Sequence, residues 1–81
     1  MSAETVEIHP RITVNPHVMA GKPCIRGMRV TVGMILGMLA EGHTPEEMLD
    51  LYPYLELEDI RATLGFTAWR VGEEREISIS A

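Results

Sequence analysis

The side chains in this sequence able to ligate a metal or attack a substrate are few: His9, His17, His43 and the single cysteine, Cys24. Their positions do not give the paired spacings that close a tetrahedral zinc site. No Ser/His/Asp or Cys/His order stands out either, so nucleophilic catalysis has no constellation to start from. Cys24 stands in an apolar-leaning loop and reads as a small buried hydrophobe rather than a reactive thiol. Gly21-Lys22 is followed by Pro23, without the glycine spacing and Ser/Thr of a phosphate loop. Little catalytic apparatus is left, so the expectation is no enzyme activity, no metal and no cofactor.

What remains is binding chemistry, and it concentrates in one stretch. Gly21-Lys22-Pro23-Cys24-Ile25-Arg26-Gly27-Met28-Arg29-Val30-Thr31-Val32 holds two glycines, a proline and three cations. Glycine reaches backbone conformations closed to other residues, and proline fixes φ while removing a donor. Such a segment is a shaped loop, and a tight turn at Gly27 would bring the guanidinium forks of Arg26 and Arg29 to one edge. Lys22, Arg26 and Arg29 are therefore candidates for contacting DNA or forming a dimer. The alternative is internal: both arginines capping loop carbonyls and pairing with helix acids such as Asp59.

Composition bounds the rest. Eighty-one residues with 46% hydrophobic side chains make one globular domain, and a chain of this size removes only about 60–65% of its unfolded surface from water. A dimer or partner would bury more. The lone cysteine fits a reducing, cytoplasmic setting. Neither a signal peptide nor a membrane span is expected, because the N-terminus has no basic flank and the apolar run from Met34 to Ala40 is short. The net charge of −5 speaks against a general nucleic-acid binder. It hides an asymmetry: Ile8 to Ala40 carries four cations and no acid, whereas Glu41 onward carries ten acids and three arginines. Two faces with different partners would follow, or one face pairing with the other across a dimer.

The elements that would position these groups follow from periodicity and caps. Residues 1–10 read as a flexible tail, 11–71 as the domain, and 72–81 as a second tail. Arg11-Ile12-Thr13-Val14 alternates like a half-buried strand, with Ile25 and Arg29–Val32 available to pair with it as a short hairpin. A first helix, apolar almost all round, should run from about Val32 to Glu41 and end at Gly42. Thr44-Pro45-Glu46-Glu47 is a capping box opening a second helix that Pro53 stops. A third should run from about Leu57 to Arg70, with Leu57, Ile60, Leu64 and Ala68 as its inward stripe. Beyond it, Ile77-Ser78-Ile79-Ser80 alternates like a strand, to be read either as a loose terminus or as an edge strand for another chain.

Ile12, Pro16, Gly21-Lys22-Pro23, Ile25-Arg26-Gly27, Arg29-Val30, Val32, Gly42, Pro45-Glu46-Glu47, Tyr52-Pro53, Leu55, Glu58-Asp59-Ile60 and Leu64 together resemble the domain of unknown function 433 family. Met28 and Glu56 depart from it, since members usually carry Thr at the first and Thr or Ser at the second. The resemblance implies a mainly α fold, a three-helix, homeodomain-like helix-turn-helix bundle with a short N-terminal β-hairpin. It also implies an antitoxin of a type II toxin–antitoxin pair, binding and masking a PIN-like ribonuclease toxin and repressing its own operon by binding DNA. The expected protein is a cytoplasmic homodimer, with Trp69, Arg70, Arg75, Ile77 and Ile79 on the toxin; Arg26 and Arg29 are the other pair able to reach the toxin's metal-binding carboxylates. A stand-alone helix-turn-helix DNA-binding regulator is the alternative, although the third helix opens with two acids where base edges would lie, and like charges oppose insertion.

Overall fold

The computed structural model describes residues 4–72. Three short strands lead: β1 (Val6–His9), β2 (Ile12–Val14) and β3 (Cys24–Ile25) form an antiparallel sheet in the order β1-β2-β3. Three helices follow: α1 (Val32–Ala40), α2 (Pro45–Leu51) and α3 (Leu57–Gly72). The expectation of a mainly α helix-turn-helix bundle with an appended hairpin is therefore corrected to three helices packed with a three-stranded sheet. That sheet is a structural layer, since Ile12, Thr13, Cys24 and Ile25 are all buried in it.

β1 is the strand that the sequence reading left out. Residues assigned to a flexible N-terminal tail pair instead with β2, Val6 opposite Val14 and Glu7 opposite Thr13, before a bulge sets His9 opposite Ile12. The strand pattern was there, since Val6 and Ile8 alternate with Glu7 and His9. Three- and four-residue strands are marginal alone, and a third strand and covering helices stabilise them. β2 and β3 match expectation in one pair, Ile12 opposite Ile25, but Thr31 only bridges Cys24 and Val32 already opens α1.

Caps define the helix starts. Thr31 accepts the Met34 N–H at 3.0 Å and opens α1. Thr44 and Glu47 exchange bonds at 2.8 and 3.1 Å in a full capping box at α2, satisfying two donors that a helix start leaves orphaned. Gly42, at φ +98°, turns the chain from α1 toward α2. Ile12, Ile25, Val32, Ile35, Met48, Leu55, Ile60 and Phe66 form one apolar core shared by sheet and helices.

α3 is rotated relative to the expected face. Asp59, Ile60, Thr63 and Phe66 point inward, while Leu57 and Leu64 are 38% and 48% exposed and Ala68 faces solvent too. The inward polar groups are satisfied locally: Thr63 Oγ1 donates to the Asp59 carbonyl at 3.0 Å, and Thr67 repeats this to Thr63. Asp59 is held by ion pairs, which is what moves the buried stripe.

Candidate functional site

The shaped loop is built around one turn. The Met28 N–H donates to the Ile25 carbonyl at 2.8 Å, and the two central residues, Arg26 and Gly27, have φ of +46° and +75°. Positive φ at both centres is the mirror-image hairpin turn, costly for a residue with a Cβ but open to glycine. Thr13 Oγ1 accepts the Gly27 N–H at 2.8 Å, and the Ile25 N–H donates to Val30 at 2.9 Å. Pinned from β2 and from its own ends, the loop has a fixed shape.

That shape aims Arg26 into the protein. Its Nε donates to Asp59 Oδ1 at 2.9 Å and one terminal nitrogen to Oδ2 at 2.8 Å, a two-pronged pairing with a carboxylate that is fully buried. The same terminal nitrogen donates to the Tyr54 carbonyl at 3.0 Å. Arg11, at φ +68° in the turn between β1 and β2, adds a donor to Asp59 Oδ1 at 2.9 Å and another to Glu56 at 2.6 Å. The Glu56 N–H closes on Asp59 Oδ2 at 2.9 Å. Both oxygens of Asp59 thus accept two bonds each. Burial alone would push this carboxyl up, but the Arg26 guanidinium, the Glu56 N–H and Arg11 together hold it below the usual aspartate range.

This node ties the first turn of α3 to the loop and to the β1–β2 turn. It is complete within the chain, so it offers no open valence for substrate or metal. Among the described residues no group of three or more His, Cys, Asp or Glu side chains could hold a metal ion. Glu56 takes the helix-start position where a hydroxyl is usual, and its carboxylate goes to Arg11 while Asp59 supplies the reciprocal bond. Arg11 was not singled out as a functional candidate from sequence. The readable signal for the node was an acid in the first turn of a helix that follows an Arg-Gly turn.

The other loop candidates have a different fate. Lys22 and Arg29 are exposed and make no ion pair among the described residues. The three loop cations are thus not brought together as one surface. Cys24 is buried, its thiol donating to the Lys22 carbonyl at 3.3 Å; burial pushes its pKa up, with the Arg29 charge opposing. A protonated, buried thiol is a poor nucleophile.

At the far end of α3 the indole of Trp69 is 54% exposed yet held in place. It stacks on the His9 ring at 6.0 Å and leans on buried Phe66 at 6.1 Å, while His9 meets Phe66 edge-on at 5.7 Å. His9 belongs to the strand that sequence reasoning missed, so this buttress was invisible there. Arg70 is exposed beside it and unpaired among the described residues. Arg75, Ile77 and Ile79, the remaining candidates for partner binding, lie outside the described residues.

A family model described as "Protein of unknown function (DUF433)" matches residues 12–67. The chain belongs to the DUF433 family. An uncharacterized protein of Sinorhizobium fredii (strain NBRC 101917 / NGR234) is 40% identical over 50 residues, covering 62% of this chain. The match spans only 23% of that relative's length. The crystal structure of a DUF433 member from Anabaena variabilis matches with a TM-score of 0.69 and 27% identity, covering 88% of this chain and 69% of that one. The residues of the ionic node and of the shaped turn, from Arg26 to Asp59, fall inside the family match. Arg11 and the Trp69 end of α3 fall outside it. Among the described residues no helix is long and apolar enough to cross a membrane.

Proposed function

We propose that this chain is a non-catalytic protein-binding module, an antitoxin that docks on and masks a PIN-like ribonuclease through the C-terminal end of α3. The observation that carries this reading is the exposed, buttressed indole of Trp69 with Arg70 beside it. Tryptophan and arginine are the residues that most often dominate protein interfaces, because a rigid ring buries much area at little entropic cost. Held by His9 and Phe66, the ring loses little freedom on docking. Arg70 then offers a guanidinium fork to acidic side chains of the partner. In a PIN-like nuclease such acids hold the divalent metal, and two-pronged pairing by arginine would compete for them.

The charge distribution supports a protein partner over DNA. Arg26 is spent on Asp59, which leaves only Lys22 and Arg29 of the loop cations unpaired among the described residues, and the first turn of α3 carries Glu58 and Asp59. Phosphate binding depends on cations that are free to displace counterions. The test is co-purification with the product of the adjacent gene, followed by an assay of that product for ribonuclease activity with and without this chain. A stable complex with suppressed activity supports the proposal. A chain that leaves the nuclease unbound and active, yet retards its own promoter DNA in a salt-dependent way, overturns it in favour of a DNA-binding regulator.

A further inference from the structure

The outer face of α3 is odd for a surface that meets only water. Leu57 and Leu64, spaced i, i+7, are 38% and 48% exposed on one side of the helix. Tyr54, 52% exposed, precedes them on the connector. Between the leucines stand Glu58 and Arg61, both exposed. Spaced i, i+3, they could pair with each other, but among the described residues neither makes an ion pair.

We propose that this face is a homodimer interface, in which α3 packs antiparallel on α3 of a second copy about a two-fold axis. The charges select the occupant. An isologous contact sets each patch against itself, so a self-fitting patch must hold an acid and a base on opposite sides of the axis. Glu58 and Arg61 meet that requirement. With the axis passing through the turn that contains them, Arg61 of each copy reaches Glu58 of the other, giving two reciprocal pairs flanked by Leu57 and Leu64. A basic partner would leave Arg61 facing like charge and an acidic one would do the same to Glu58, so a copy of this chain answers both. The interface occupies the N-terminal half of α3 and leaves the Trp69 end free. It does not rest on the antitoxin reading.

Sedimentation equilibrium of the isolated full chain over a wide dilution series tests it, with no nuclease present. The wild type is expected to be in monomer–dimer equilibrium. Arg61→Glu and Glu58→Arg, each alone, set like charges face to face and should weaken association at least about tenfold, and the double swap should restore it. A chain that stays monomeric throughout overturns the proposal. So does a dimer indifferent to the single swaps, or one that the double swap fails to rescue.

Discussion

Replacing Asp59 by asparagine keeps the shape of the side chain and removes its charge, which makes it the sharpest probe of how the loop is held. In the native arrangement the buried carboxylate accepts four hydrogen bonds at 2.8–2.9 Å, three of them from arginines. An amide supplies one acceptor oxygen and turns two hydrogens toward groups that are themselves donors. Breaking a fully buried ion pair costs about 3–5 kcal/mol, because a charge is left without compensation. Here the arginine side chains are 34% and 36% exposed, so water can recover part of their solvation. The expected loss is therefore roughly 2–3 kcal/mol. For a domain of this length that lowers the thermal midpoint by roughly 10–20 °C. Urea unfolding of wild type, Asp59→Asn, Arg26→Ala and the double variant, read as a cycle, should give a coupling of about 1.5–3 kcal/mol between the two positions. A loss under about 0.5 kcal/mol, within the range of an ordinary surface substitution, would refute the node as the element that fixes the loop.

Three further outcomes follow from the same geometry. Since the folded-state pKa of Asp59 is depressed, its contribution is complete above the unfolded value of about 3.9 and is lost as the pH falls through the folded one; acid titration of stability should be steeper for wild type than for Asp59→Asn. Gly27→Ala should cost about 1–2 kcal/mol in denaturant unfolding, because the φ of +75° carries a Cβ penalty. Thr44→Ala removes one half of the capping box and should lower stability by about 1 kcal/mol in the same assay, without changing the loop.

Local signals in the sequence were read well where the governing chemistry is local. The Thr44–Glu47 box, the turn at Gly42 and the start of α3 follow from cap and dipole preferences that act within one helical turn. The facing of α3 did not, because it is decided by Asp59 and Thr63. Their types read as surface, and only a guanidinium arriving from 33 residues earlier makes Asp59 a core residue. Leu57 and Leu64 were consequently assigned to the interior. β1 was missed for a related reason: four residues with two polar members look like a tail until β2 and Trp69 are beside them. The candidate site divides in the same way. Of the two roles considered for Arg26, contact with DNA or a second copy and pairing with Asp59, the structure displays the pairing. Trp69 stood out by type alone, whereas its buttress by His9 depends on contact across 60 residues.

The central claim is that the working surface is the Trp69 end of α3 and that the cationic loop is scaffold. Calorimetric titration of this chain into the product of the adjacent gene tests that claim most directly. Trp69→Ala is expected to weaken binding by at least about thirtyfold, the loss typical of an interface anchor, while Lys22→Ala and Arg29→Ala leave the affinity within about twofold of wild type. Binding that survives the loss of the indole but collapses when Lys22 or Arg29 is removed would contradict the account.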